Sequence, residues 1–237
     1  MYALLLCSLR GFPQVELFSA NSMDKDYVKI IEDYVKEHIS SVPGFACQLS
    51  IGQKEEYTGV FGYSDLENKV PLNRNDLHEW ASITKTVTFA AVMQLVEDGR
   101  IDLDEDIRTY IGQDFFRRTK KKVTMMNLML HNAGWEEVYY GNSYSEYKDW
   151  MALETLLKKA EPAQVFEPGQ YTSYSNYGVS VAGYVVEKIV GKPFYEYVKE
   201  NIFDVVGMKE STMDLTHKDM PDFNERMKTR LYTKSTK

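Results

Sequence analysis

The first clear signal along the chain is a helical stripe. Tyr27, Ile30, Ile31, Tyr34, Val35, His38 and Ile39 recur at helical spacing with lysines and acids between them, and Pro43-Gly44 closes the run. The period then changes to two. Phe45, Cys47, Leu49 and Ile51 alternate with smaller or polar residues, which predicts a half-buried strand. Gly52 to Glu55 predicts a turn and Tyr57 to Tyr63 the returning strand. Residues 64–79 are polar, carry Pro71 and predict a loop. From Ser82 to Asp98 the helical pattern returns. There Phe89-Ala90-Ala91-Val92-Met93 is apolar all round, which predicts a helix enclosed by protein, with Gly99 just past its end. A short helix or a turn is predicted at Leu103–Ile111, and shorter helical segments at Val123–Leu130 and Leu153–Lys159. A longer one over Val179–Val190 is stopped by Gly191, and another short one surrounds Phe194, Tyr197 and Val198 and ends near Gly207-Met208. Beyond Met208 the pattern fades into a polar, lysine-rich tail.

Composition narrows the class. The 237 residues leave room for one large domain or two modest ones, and 43% hydrophobic with 27% charged residues is globular rather than disordered. A net charge of −7 counts against non-specific nucleic-acid binding. Within so acidic a chain, the basic run Arg117 to Lys122 is read as a solvated loop rather than an anion patch. Residues 136–150, rich in Tyr, Gly, Asn and Ser, read as an exposed loop. Cys7 and Cys47 are too few for a disulfide scaffold or a four-cysteine zinc site, and neither a metal nor an organic cofactor is expected. No run of about 20 apolar residues exists, so no membrane span is expected. Met1 to Leu9 is apolar but short, and Arg10 follows it, the reverse of a secretory signal. Residues 1–23 read as a leader, with Met23 as the alternative beginning.

The candidate chemistry lies where the second long helix begins. Ser82-Ile83-Thr84-Lys85 places a hydroxyl and an amine three residues apart, on one face of a first helical turn. A lysine desolvated there is more readily deprotonated and can take the serine proton, and the helix N-terminus favours the anion that develops. By itself the pattern reads more readily as an N-cap serine followed by a solvated lysine. Tyr174-Ser175-Asn176, 92 residues downstream and just ahead of another helix, adds a phenol and a carboxamide. Tyr174 could shuttle a proton between Ser82 and a leaving group, while Asn176 could bind a substrate amide and steady Lys85. Trp135 and the Tyr139-Tyr140 pair are candidates for the wall of the cleft, with core packing an equal reading for the tryptophan.

These motifs, in this order, resemble the class C beta-lactamase and D-alanyl-D-alanine carboxypeptidase group of penicillin-recognising serine hydrolases. Leu95 to Asp104, Met129-Leu130-His131-Asn132-Ala133-Gly134 and Phe166-Glu167-Pro168-Gly169 are similar to further segments of that group, and the resemblance covers roughly residues 25–215. It implies an α+β fold in which a helical region lies beside an antiparallel sheet. The catalytic residues it implies are Ser82, Lys85 and Tyr174, with substrate held by Asn176 and flanked by Trp135. It also implies an acyl-enzyme on amide, beta-lactam or ester carbonyls, with the Ser82 N–H as one oxyanion donor. His131 is then a loop histidine tying backbone together beside the site, since lysine and tyrosine fill the base roles. The partner expected is a small-molecule or peptide substrate, and members of this group usually act outside the cytoplasmic membrane.

The chain departs from the pattern in one respect. No Lys-Thr-Gly or His-x-Gly follows Asn176, since His217 is followed by Lys218-Asp219 and Thr233 to Lys237 contains no glycine. The expectation is therefore a C-terminally truncated member in four parts. These are a leader at 1–23, a helix and strand hairpin at 24–78, a helical region at 79–215 and a polar tail at 216–237. The sheet's C-terminal strands would be missing, and an exposed sheet edge would offer a surface for self-association. The rival expectation is a catalytically impaired remnant or fragment that only binds.

Overall fold

The computed structural model describes residues 27–51, 54–137 and 152–227. The fold is α+β and divides into two units. One comprises the chain up to Glu79 together with the segment from Met220, and the other runs from Trp80 to Asp219.

The first unit opens with helix α1 (Tyr27–His38), followed by strand β1 (Gly44–Ile51), β2 (Lys54–Asp65) and the two-residue β3 (Val70–Pro71). The sheet order is β1-β2-β3, all antiparallel, and the register pairs Gly44 with Gly62 and Cys47 with Gly59, with a bulge between Leu49 and Ser50. Gly62 has a φ of +78°, and a Cβ there would stand 2.4 Å from the Pro43 carbonyl oxygen, so this close crossing of strands requires glycine. Residues 64–79 were expected to be loop throughout. They contain β3, which two residues, one of them proline, cannot signal, and whose proline fits an edge strand. The apolar stripe of α1 is less covered than its period implies: only Val35 is buried, while Ile30 and Tyr34 are exposed. A narrow sheet offers α1 too little apolar surface for the whole stripe. Helix α9 (Phe223–Arg226) lies in the segment expected to be a featureless polar tail, and its Arg226 carbonyl accepts the Leu77 N–H. Met220 just ahead of it is buried.

The second unit is helical. Its main helices are α2 (Thr84–Glu97) and α6 (Asn176–Val190), which pack together. Shorter helices follow the chain: α3 (Arg108–Ile111), α4 (Met125–Met129), α5 (Leu153–Lys159), α7 (Phe194–Val198) and α8 (Asp204–Val206). Nine of the ten residues of α6 from Tyr177 to Val186 are buried, Ser180 being the exception, so it is the central element of the unit. Helix α2 is not enclosed as expected. Val87, Thr88, Ala91, Val92 and Leu95 form its buried face, while Ala90 and Met93 are exposed. Its opposite face carries Thr86, Ala90, Met93 and Glu97. The ends obey local rules: Thr124 and Asn127 form a capping box on α4, and Gly191, at a φ of +73°, closes α6.

The basic run 117–122 is not merely a solvated loop. It wraps around a buried carboxylate. Glu161 accepts the backbone N–H groups of Arg117, Arg118 and Thr119, each at 2.8 Å, and the Thr119 hydroxyl at 3.0 Å. The charge is met by oriented amides rather than by the basic side chains alone. Among the described residues, no helix is long and apolar enough to cross a membrane.

Candidate active site

Ser82 lies in a short 3-10 turn, Ala81–Ile83, that runs directly into α2. It is therefore not an N-cap, because that position falls to Trp80, ahead of the turn. Ala81 has a φ of +43°, a conformation that costs an L residue roughly 1–2 kcal/mol. This bend presents the exposed Ser82 hydroxyl at the helix entry. Lys85, half-buried one turn on, reaches back, and its Nζ donates to Ser82 Oγ at 3.1 Å.

Tyr174 arrives from the start of α6. Ser175 is the N-cap there: its backbone is extended and its Oγ accepts the Gly178 N–H at 3.0 Å. The cap fixes where the helix begins, three residues earlier than the hydrophobic period indicates, and so fixes the direction in which Tyr174 leaves the chain. The Tyr174 Oη lies 2.5 Å from Ser82 Oγ. The Lys85 Nζ lies 4.9 Å from the centre of the Tyr174 ring. The serine oxygen therefore stands between an amine and a phenol, as the motifs predict.

His131 holds this arrangement from behind. Its φ is +55°, and that turn aims both its carbonyl and its ring at residues 173–175. The carbonyl accepts the Ser173 N–H at 2.7 Å, and Nδ1 accepts the Ser175 N–H at 3.2 Å. The imidazole also packs on the Tyr174 ring, with centroids 4.7 Å apart. The residues on either side of Tyr174 are thus both tied to His131. An Nδ1 that accepts must be unprotonated. The environment favours this form: burial, and then the Lys85 charge, lower the pKa of His131. On Tyr174, burial raises the phenol pKa. Its bonds to Lys85 and Ser82, with the Lys85 charge, outweigh burial, and the net shift is downward, with Glu137 opposing.

Asn176 is the first residue of α6 and sits beside this group, but its side chain does not engage Lys85 as expected. Its Nδ2 donates to Glu137 Oε1 at 2.7 Å, and its backbone N–H donates to the same carboxylate at 3.1 and 3.3 Å. Glu137 was not singled out from the sequence, where it is one acid in a polar stretch with no motif around it. Trp135 is the other departure. It is 1% exposed, it packs against Phe116 and Tyr177, and its indole N–H donates to Thr119 Oγ1 at 2.9 Å. It belongs to the core that backs the site, because a buried indole needs an acceptor and Thr119 supplies it. Tyr139 and Tyr140 lie outside the described residues. Among the described residues, no group of three or more His, Cys, Asp or Glu stands together in a way that could hold a metal ion.

The fold recurs in solved structures. The D-amino acid amidase from Ochrobactrum anthropi SV3, solved with D-phenylalanine, superposes with a TM-score of 0.67 at 26% identity, over 77% of this chain and 51% of the amidase. The octameric penicillin-binding protein homologue from Pyrococcus abyssi does so with a TM-score of 0.65 at 25% identity, over 78% of this chain and 44% of the homologue. The fold is thus that of the beta-lactamase/transpeptidase class. A beta-lactamase from Providencia stuartii is 25% identical over 187 residues, which cover 76% of this chain and 46% of that enzyme. The family model for Beta-lactamase matches residues 29–230, and the chain belongs to that family. It spans less than half the length of the Providencia enzyme and of similar curated relatives.

Proposed function

We propose that the protein is a serine hydrolase working through an acyl-enzyme, with Ser82 as nucleophile, Tyr174 as the group that moves the proton, Lys85 as the charged partner that favours its phenolate, and Asn176 as a substrate contact. The single observation that carries this is Ser82 Oγ held at 3.1 Å from Lys85 Nζ and 2.5 Å from Tyr174 Oη. Those are distances at which a proton can pass.

The Lys85 ammonium beside the ring favours the phenolate of Tyr174. The phenolate takes the Ser82 proton as Oγ bonds to the substrate carbonyl carbon, and the carbonyl electron pair moves onto oxygen. The Ser82 backbone N–H stabilises that oxyanion. On collapse, the bond to the leaving group breaks and Tyr174 returns the proton to it, which leaves the acyl group on Ser82. Water then repeats the sequence: it gives its proton to Tyr174, attacks the acyl carbon, and releases a carboxylic acid as Ser82 recovers its proton. The substrates this supports are amides, beta-lactams or esters of small acyl groups, in keeping with the beta-lactamase and amidase among its relatives.

The test is stopped-flow hydrolysis of p-nitrophenyl acetate. A burst approaching one p-nitrophenol per protein, absent in Ser82→Ala, is the expected result. A protein that unfolds cooperatively but hydrolyses the ester no faster than Ser82→Ala would instead be a binding remnant of the fold.

A further inference from the structure

His131 takes no part in the proton transfer, yet it sets where Tyr174 stands. The residue is itself tied down at the end of α4. Its N–H donates to the Leu128 carbonyl at 3.2 Å, and the N–H of the next residue, Asn132, donates to the Asn127 carbonyl at 2.9 Å. From this base the carbonyl and Nδ1 hold residues 173 and 175. The ring lies against two others, Tyr174 with centroids 4.7 Å apart and Phe89 of α2 at 6.4 Å.

Only the neutral ring can hold Ser175 in this way. An imidazolium carries hydrogen on both nitrogens, so no rotation about Cβ–Cγ restores an acceptor, and two N–H groups then face each other across 3.2 Å. Ring or chain must move. Either motion displaces Tyr174, which is bonded to Ser175 and packed on the ring. The new charge by itself acts the other way, since a cation beside a phenol favours its phenolate. Lys85 already supplies that counter-charge, 4.9 Å from the ring centre. A displacement of about 1 Å at a reacting group, by contrast, costs roughly a hundredfold in rate, so geometry outweighs charge. We infer that His131 is a positioning residue whose neutral ring holds the Tyr174 oxygen against Ser82 and whose protonation withdraws it, so that the site carries its own acid cut-off. Among the described residues, the charged and titratable groups facing the ring are Lys85 from α2, Tyr174 from the segment ahead of α6, and Glu137 from the segment after His131 itself. Lys85 resists a second cation and Glu137 favours it. Burial and Lys85 prevail, which puts the cut-off on the acid side of the ordinary 6.5.

The inference rests on the hydrolase reading for its kinetic consequence but not for the release of the segment, so two readouts separate them. The first is the acylation burst with p-nitrophenyl acetate across pH. Titration of Tyr174 alone changes the rate about tenfold per pH unit below its pKa. The native protein should follow that line near neutrality and steepen toward about a hundredfold per unit below the His131 midpoint, where two protonations multiply. In His131→Asn, whose Oδ1 stands where Nδ1 stood, the tenfold line should continue into acid. His131→Gln, whose oxygen lies one bond further out, should acylate at least about tenfold more slowly at neutral pH. A purely structural role would shift the rate equally at every pH. A native line that never steepens, or a His131→Asn line that steepens as the native one does, would overturn the cut-off. The second readout is amide hydrogen exchange by NMR, with the 13C-labelled His131 ring signal identified by its loss in His131→Asn. Protection of the Ser175 N–H, corrected for the intrinsic pH dependence of exchange, should fall about tenfold as the ring titrates and hold in His131→Asn. Protection unmoved by the titration would overturn the inference outright. If Ser82→Ala releases p-nitrophenol as fast as the native protein, the hydrolase reading and the cut-off fall together. The Ser175 N–H then decides whether protonation frees the segment.

Discussion

Replacing Tyr174 with phenylalanine removes one oxygen from the centre of the proposed chemistry and leaves almost everything else in place. The ring keeps its packing on His131, and Ser173 and Ser175 keep their bonds to that residue. What disappears is the group 2.5 Å from Ser82 Oγ. A positioned general base contributes about 10²–10⁴-fold to rate, which at about 1.36 kcal/mol per decade is roughly 3–5 kcal/mol of barrier. Stability should change by less than about 1 kcal/mol, because Tyr174 is largely exposed and its hydroxyl can exchange Ser82 for water. The pH profile sharpens the test. The active form of the base is the phenolate, and its pKa lies below the ordinary 10. The acylation rate of the native protein should therefore rise with pH and level off below pH 10, and Tyr174→Phe should lose that limb. The assay is the pre-steady-state burst with p-nitrophenyl acetate across pH, with thermal melts as a control on folding. A Tyr174→Phe protein that keeps its melting temperature and acylates within threefold of the native rate at every pH would refute the role given to the phenol.

Two further outcomes are expected. His131 is held neutral when folded, with its pKa below the unfolded 6.5. The unfolded state therefore takes up a proton first as pH falls, so this contribution to stability is complete above about pH 6.5 and is lost on acidification through the lower folded value. His131→Asn, which tolerates the positive φ and keeps an acceptor, should flatten the fall in melting temperature between pH 7 and pH 5; an unaltered slope would count against it. Glu161→Ala should lower urea stability by about 2–4 kcal/mol, since three backbone N–H groups and a threonine hydroxyl lose their shared acceptor; a change below about 0.5 kcal/mol would show that water replaces it.

What was legible in the sequence depended on how local the signal was. The hairpin and the long helices α2 and α6 announce themselves by period, and Ser82, Lys85 and Tyr174 by their motifs. The structure brings these three side chains together. The start of α6 was misjudged because period marks the buried face, whereas the N-cap Ser175 marks the true beginning. The environment of α2 was misjudged because the apolar run Phe89–Met93 is short, and Ala90 and Met93 within it fall on the same uncovered side as Thr86 and Glu97. Trp135 could not be assigned between cleft and core without knowing where Thr119 lay, 16 residues away. Glu137 and Glu161 were invisible for the same reason. A carboxylate that meets backbone amides has no sequence pattern, because amides are everywhere and only the fold says which ones point at it.

The most direct measurement is intact mass spectrometry with peptide mapping after incubation with an alkyl fluorophosphonate. A single adduct located on Ser82, absent from Ser82→Ala and formed at least a hundredfold more slowly in Tyr174→Phe, is the expected result. Folded protein that acquires no adduct, or acquires it equally in Ser82→Ala, would contradict the hydrolase assignment.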